Sequence, residues 1–418
     1  MNVSMQNKKL LGINGMGRIG KLLLWNQIRL KQFDGLVVNL GRDVGKKLDD
    51  LIQIIENDST YGNLTKFLYG FGGKKAEIRI LDENIPLLEI DGIIVKFLRK
   101  SRDPKDINWL KEGVSIVVEC TGGFSDPTVT TNSSKPCLRG HLEAGALKVI
   151  LSAPFKIKDP SQSKPHDSTT MIYGINHSQY NAQKHHVISA ASCTTTGLAH
   201  MMKPLLDTRE TSQILTASMS TIHAMTNTQA ILDSVPKAGS SDMRKNRSVF
   251  NNIIITTTGV TKALEQVIPE ISNIGFIADS VRIPTNTVSL INLNITFHSE
   301  TDQNNEPKIT REFINDIYKK AAKTSQKDLL VYSDRQNVSS DLIGTMAACV
   351  VEGCETHTRT GFISIPRKSL NTLGIKDADN LKLPVTHAKL FGWYDNELGS
   401  YVYSLSKLIK HIADNTPL

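Results

Sequence analysis

The stretch Lys8-Lys9-Leu10-Leu11-Gly12-Ile13-Asn14-Gly15-Met16-Gly17-Arg18-Ile19-Gly20 decides the fold of the first half of the chain. Leu10 to Ile13 is a short apolar run that reads as a strand. Leu22, Leu23, Leu24, Trp25 and Ile28 follow with the spacing of a buried helix face. Between them lies G-x-G-x-x-G. Its glycines allow a tight turn, close approach of the backbone to a pyrophosphate, and close packing of helix on strand. The helix start adds free N–H groups for the anion. A second strand, Leu36 to Leu40, runs into Gly41-Arg42-Asp43, and Asp43 stands near where an acid meets the adenosine ribose hydroxyls. Glycines alone would fit an ordinary turn; with strand, helix and acid in place, a dinucleotide is the stronger reading.

Further strands are expected at Ile93–Phe97, Ser115–Glu119 and Val149–Leu151, with a helical stretch from Leu142 to Leu147 before the last. Strand, helix, strand predicts a parallel sheet of Rossmann type. The texture changes near His186. His186–Ser189 reads as a strand leading into Ser192-Cys193-Thr194-Thr195-Thr196-Gly197, and the runs Gln213–Ile222 and Thr287–Phe297 are β-rich. The second of these nearly alternates, as antiparallel strands do. The expected α/β architecture is therefore a dinucleotide-binding domain, 1–192, and an α+β catalytic domain with a mainly antiparallel sheet, 193–396. The helical stretch 397–418, with Tyr401, Leu405, Leu408 and Ile412 on one face, completes the first domain. Segments 125–136 and 156–169 read as surface loops.

With 418 residues, 39% hydrophobic and 22% charged, the chain is neither disordered nor low-complexity. No apolar run is long enough for a membrane helix, and the first residues lack the pattern of a secretory signal. Five cysteines at irregular spacing argue against a disulfide framework and offer no metal site. The expected setting is the cytoplasm, without metal or membrane. The net charge of +8 is scattered, which weighs against a nucleic-acid partner.

Four local segments carry chemistry. Cys193 stands where a strand meets a helix, so helix N-terminal amides are expected to lower its thiol pKa. The plain alternative is a small buried residue. His223 closes a β-like run before Thr226 and Thr228; it can act as a base toward a thiol, although most lone histidines are structural. Thr256-Thr257-Thr258-Gly259 opens a helix over Val260–Val267, suited to a phosphate or to a plain N-cap. Arg282, between apolar neighbours, needs an anion: a ligand or an internal carboxylate.

These residues, together with Glu119-Cys120-Thr121-Gly122, Leu151-Ser152-Ala153-Pro154, Val338-Ser339-Ser340-Asp341 and Gly392-Trp393-Tyr394-Asp395-Asn396-Glu397-Leu398-Gly399, occur in an order that resembles the phosphorylating glyceraldehyde-3-phosphate dehydrogenases. The resemblance runs from about residue 9 to 412. It implies Cys193 as nucleophile and His223 as base and acid. It implies Ser192, Thr194, Thr258 and Gly259 around inorganic phosphate, and Thr226, Thr228 and Arg282 around the phosphate of the aldehyde substrate. It places Gly15, Gly17, Arg18, Ile19, Gly20, Asp43, Arg102, Ser152 and Asn396 at the dinucleotide, with Asn396 on the nicotinamide carboxamide. The implied reaction converts glyceraldehyde 3-phosphate to 1,3-bisphosphoglycerate with NAD, through a cysteine thioester, in a homotetramer. The alternatives are an erythrose-4-phosphate dehydrogenase and a non-catalytic dinucleotide-binding regulator.

The chain departs from that pattern in four respects. It is about 80 residues longer than the family's usual form, a small domain's worth, with the largest insertion expected between Val351 and Val385. Thr196 and Gly197 stand where the family usually has Asn and then Cys, so a second cysteine four residues after Cys193 is missing. The loop Ile231–Arg247 is altered and basic, with Lys237, Arg244, Lys245 and Arg247, where the family's loop approaches a neighbouring subunit's cofactor. Arg42 beside Asp43 leaves NADP as the alternative cofactor. Alternate side chains on a strand point to opposite sides, so Arg42 and Asp43 are not expected to face the ribose together, and Asp43 there predicts a preference for NAD.

Overall fold

A computed structural model describes residues 8–99, 101–133, 135–236, 238–304, 306–375 and 380–417; Lys237 of the basic loop lies outside the described residues. The chain divides into two compact units, one reaching to Ser192 and resuming at Glu397, the other spanning Cys193–Asn396.

In the first unit, β1 (Leu10–Asn14) leads through the glycine turn into α1 (Arg18–Leu30), followed by β2 (Gly35–Asn39). The sheet continues with β3 (Ile78–Asp82), β4 (Leu87–Ile90), β5 (Ile93–Leu98), β6 (Val114–Glu119), β7 (Lys148–Leu151), β8 (Ser168–Thr170) and β9 (Val187–Ser189). The strand order is β8-β9-β7-β6-β1-β2-β5-β4-β3. All pairings from β8 to β5 are parallel, and only β4 and β3 run against their neighbours. The central strands are apolar and buried throughout, as a sheet covered on both faces requires. Trp25 fills the space under α1 and donates its indole N–H to the Ile55 carbonyl at 2.7 Å. The C-terminal helix Tyr403–Asp414 buries Leu405, Leu408, Ile409 and Ile412. Its Ser406 hydroxyl accepts from Asn26 of α1 at 2.8 Å.

One expected helix is shorter than its apolar residues imply. The helical turn spans Gly140–Glu143, and Ala144 to Leu147 turn back toward β7. Gly145 has φ +99°, a conformation that ends a helix, so the glycine overrides the pattern around it.

The second unit opens with α2 (Cys193–Leu206) and builds one sheet from β10 (Ile214–Ala224), β11 (Ile254–Thr256), β12 (Gly275–Ile283), β13 (Ser289–His298), β14 (Leu330–Ser333), β15 (Cys349–Glu352), β16 (His357–Pro366) and β17 (Asn380–Tyr394). The order is β11-β12-β10-β13-β17-β15-β14, with β16 on the edge of β17. Most pairings are antiparallel; β10 with β12 and β14 with β15 are parallel. Along β13, Ser289, Ile291, Leu293, Ile295 and Phe297 face inward, and the residues between them are half-exposed. Helices α3 (Val260–Val267) and α4 (Arg311–Lys323) pack on α2 and β14 respectively, or on elements beside them.

Within the segment Val351–Val385, where an insertion is expected, the chain forms an arm. β13 stops pairing with β17 at His298–Val385, while β16 goes on pairing with β17 out to Pro366–Asn380. A short helix, α5 (Arg367–Thr372), packs on both strands of this extension. Phe362, Ile363, Leu373 and Leu381 on the arm are exposed.

Candidate active site

In the second unit, α2 places Cys193 at its first turn, and the parallel register of β10 with β12 sets His223 directly beside Arg282. The Cys193 sulfur lies 3.8 Å from His223 Nε2. Asn396 reaches the same point, with Nδ2 at 3.2 Å from His223 Nε2 and 4.0 Å from the sulfur. The other ring nitrogen, Nδ1, is 2.6 Å from the Ala224 carbonyl, which only accepts. In the tautomer that donates Nδ1–H to this carbonyl, Nε2 presents its lone pair to the thiol and to the Asn396 amide. Arg282 also donates to that carbonyl, at 3.2 Å, and its guanidinium lies against Nδ1.

This packing sets the charges. Burial, reinforced by the Arg282 charge, pulls the His223 pKa down to about 3, so the ring is neutral at neutral pH. The expected lowering of the Cys193 thiol is overturned in sum. Burial pushes it up, against the opposing pull of Arg282, the Thr194 hydroxyl and amide, and Asn396. The amide at the helix start acts as expected, but desolvation outweighs it. The resting pair is a thiol facing a neutral imidazole.

Arg282 has no ion-paired carboxylate among the described residues, and its contacts are His223 and the Ala224 carbonyl. Burial lowers its pKa. Of the two anions open to it, the internal carboxylate is thus absent from its surroundings. Thr226 and Thr228 come together, their hydroxyls 3.0 Å apart on an exposed turn. Thr258 accepts from the Val260 amide at 3.3 Å, and Gly259 caps α3 without a side-chain bond, leaving its exposed start open. Thr194 is buried, and its hydroxyl meets Tyr394 Oη at 2.8 Å. Ser192 is half-buried at the end of the first unit's long segment.

Two supports went unread in the sequence. Ser289 accepts from the Ala224 amide at 2.9 Å and bonds the Asn396 side chain at 2.7 Å, which fixes Asn396 over His223. Tyr394 Oη joins Thr194 to Thr221, at 2.8 and 2.7 Å. The signal for Ser289 was present: it is the one polar member of the inward face of β13.

In the first unit, Gly15 has φ +92°, and a side chain on Gly20 would come within 2.0 Å of the Gly15 carbonyl oxygen. Gly17 faces open space and caps α1 without a side-chain bond, so the helix start is free for a pyrophosphate. The residues fit the group. Ile19 lies in the first turn of α1. Ser152 follows β7, and its hydroxyl donates to the Glu119 carbonyl at 2.9 Å. Arg18 is placed differently from a direct ligand: its guanidinium is held by Glu397, at 2.9 Å from Nε, and by Asp58. Burial opposes the charge on Asp58, but hydrogen bonds from Arg18 and Lys21 bring its carboxyl down to about 2. Only the backbone of Arg18 remains for an anion.

Arg42 and Asp43 do not alternate on a strand, contrary to the expectation from sequence. β2 ends at Asn39, and Gly41, at φ +66°, turns the chain, so both residues lie in an exposed bend. Arg102 is exposed nearby, its side-chain stem against Gly41.

A parallel sheet with an open glycine turn at its first helix, and a separate unit holding a thiol against a neutral imidazole, define a class: the NAD-dependent oxidoreductases. Comparison with known proteins narrows it. Residues 9–127 match the profile of the glyceraldehyde 3-phosphate dehydrogenase NAD binding domain, and residues 192–366 match that of the C-terminal domain. The chain is 32% identical over 403 residues to glyceraldehyde-3-phosphate dehydrogenase 2 of Bacillus subtilis, covering 96% of each. It is 33% identical over 405 residues to the enzyme of Geobacillus stearothermophilus, covering 96% of this chain and 98% of the relative. For Streptomyces coelicolor the identity is 34% over 392 residues, covering 93% and 94%. The chain belongs to the glyceraldehyde-3-phosphate dehydrogenase family, and its cofactor is NAD. The C-terminal match ends at Pro366, the last residue of β16, just before α5.

Proposed function

We propose that the chain oxidises glyceraldehyde 3-phosphate and captures the product as an acyl phosphate, 1,3-bisphosphoglycerate, a step of glycolysis and gluconeogenesis. The observation that carries this reading is the Cys193 sulfur at 3.8 Å from His223 Nε2 of a neutral imidazole. His223 Nε2 takes the thiol proton as the sulfur attacks the aldehyde carbon, and the new C–S bond makes a hemithioacetal. The imidazole gives that proton to the former carbonyl oxygen, and takes it back from the hemithioacetal hydroxyl as the C–O double bond re-forms and hydride leaves. When bound, NAD supplies the two-electron acceptor for the hydride that leaves this carbon. A thioester remains on Cys193. Inorganic phosphate attacks its carbonyl, the C–S bond breaks, and the thiolate is regenerated. Arg282, with Thr226 and Thr228, holds the substrate's phosphate; Ser192, Thr194, Thr258 and Gly259 serve the attacking one. Asn396, held by Ser289, steadies the imidazole and is expected to reach the nicotinamide carboxamide.

The test is NAD reduction with glyceraldehyde 3-phosphate, with and without inorganic phosphate, in the parent and in Cys193→Ala. Phosphate-dependent turnover in the parent and its loss in the variant, with NAD binding kept, are expected. Turnover in Cys193→Ala close to the parent's would overturn the assignment. A higher kcat/KM for erythrose 4-phosphate would move the substrate to the four-carbon sugar.

We further propose a cytoplasmic homotetramer. All five cysteines are free thiols, as in a reducing compartment. Ile231, Leu232, Val235, Ile253 and Ile277 of the second unit are large, apolar and more than 60% exposed, which a second copy of the chain would cover.

A further inference from the structure

We infer that the corner of the first unit past β2 and β5 accepts a 2′-phosphate on the adenosine ribose, so that the chain binds the 2′-phosphorylated dinucleotide as well as NAD. This rests on the reading that a dinucleotide lies across the C-terminal ends of β1, β2 and β5, where parallel sheets of this kind hold their ligands. In that geometry an acid just past the second strand accepts hydrogen bonds from both ribose hydroxyls, whereas an arginine there receives a 2′-phosphate. Here the residues just past β2 are Leu40 and Gly41, and neither bears a charge. The first carboxylate is Asp43, whose side chain is 83% exposed and pairs with Arg99 at 3.9 Å.

Three arginines border the same corner. Arg99 follows β5 directly, and its Nε is buried without a hydrogen-bond partner. Arg102 lays its stem against the backbone of Gly41; a side chain on Gly41 would come within 3.2 Å of Arg102 Cγ. Arg42 is the next residue. Among the described residues, neither Arg42 nor Arg102 has a hydrogen bond or an ion pair through its guanidinium. The other acids of the corner are engaged. Asp103 accepts from the Lys105 amide at 3.3 Å and pairs with its ammonium at 3.9 Å, and Asp106 accepts from the Ser101 hydroxyl at 3.4 Å. Three arginines against one exposed carboxylate exceed what two neutral hydroxyls need. They suit a phosphate monoester, which brings about −1.5 to −2 charges and three acceptor oxygens at neutral pH.

The experiment is isothermal titration of the full chain with two probes that differ only in the 2′-phosphate, 5′-AMP and adenosine 2′,5′-bisphosphate, beside NAD and NADP. At low salt the bisphosphate should bind about three- to tenfold tighter than 5′-AMP, the scale of one charge-assisted contact. The advantage should shrink as salt screens the corner. Arg99→Gln combined with Arg102→Gln should abolish the difference between the two probes, and Asp43→Asn should widen it. Bisphosphate binding no tighter than 5′-AMP overturns the inference, as does a preference that survives in the double variant. Failure of both 5′-AMP and NAD to bind would overturn the underlying dinucleotide reading, and is told apart by the NAD titration itself.

Discussion

His223 and Arg282 are one charge problem solved by packing. The unfolded chain takes up a proton on His223 near the ordinary value of 6.5, but in the fold the ring resists it down to about 3. Between those values the unfolded state binds more protons, so stability rises with pH. The contribution of His223 is fully present above about 6.5 and is lost as pH falls toward 3. Melting temperatures of the parent should therefore drop more steeply between about pH 6.5 and pH 4 than those of His223→Asn, which has no proton to take up. Parallel slopes would mean that the imidazole carries a charge in the fold. Arg282 gives a second prediction. Its guanidinium lacks a carboxylate, so Arg282→Leu should raise KM sharply for the phosphorylated aldehyde and much less for glyceraldehyde, which never used the contact. Equal losses on both would assign Arg282 a purely structural part. Cys193, His223 and Arg282 stood out as candidates by their local settings, but each setting left a structural alternative open, and only the resemblance gave them roles. The groups that hold them were not. Ser289 is 107 residues from Asn396, and Glu397 is 379 from Arg18. Contacts of that separation come from the fold and leave no mark in a local window.

At the scale of elements, periodicity located the strands, and turn chemistry set their ends. The parallel strands β1, β2, β5, β6 and β7 were readable as apolar runs; the shortened turn at Gly140–Glu143 was not, because Gly145 stops what Leu142 and Leu147 would extend. Gly197 shows an element boundary of another kind. It lies in α2 where the helix meets the sheet, and a side chain there would come within 3.3 Å of both Ile291 and Tyr394. The missing second cysteine is thus a fit between helix and sheet. Gly197→Cys should cost about 1–3 kcal/mol by overpacking and lower kcat by displacing Tyr394; Gly197→Ala should be milder, because the gain in helix propensity of about 1 kcal/mol offsets the contact. Thermal melts of both variants decide it, and a stabilised Gly197→Cys would show that the sheet yields. The arm behaves oppositely. Phe362 pairs with Pro384, so a short turn joining them would excise α5 and the outer halves of β16 and β17 without touching the strands that pair with β13. The melting temperature of that deletion should stay within a few degrees of the parent's, and a collapse of folding would mean that the arm is built into the core.

For the whole molecule, charge and apolar surface pull against each other. Copies of a chain with net charge +8 repel at long range, so self-association must come from burial of apolar area at contact. The side chains available for that burial include Val235, 91% exposed, and Ile253, 75% exposed, both in the second unit. Two consequences follow for the proposed tetramer. Added salt should strengthen the assembly, because it screens the repulsion between like-charged copies and leaves the apolar term in place. A charge placed within the apolar surface should dissociate it, because burying an unpaired ammonium is costly. Light scattering coupled to size exclusion should therefore give the mass of four 46.2 kDa chains for the parent and a smaller species for Val235→Lys combined with Ile253→Lys. Since both side chains are exposed within the chain, the variant's melting temperature, measured at a concentration where the parent is also dissociated, should match the parent's. A parent that runs as a single chain at micromolar concentration, or a double variant that keeps the parent's mass, would show that these side chains are not the contact.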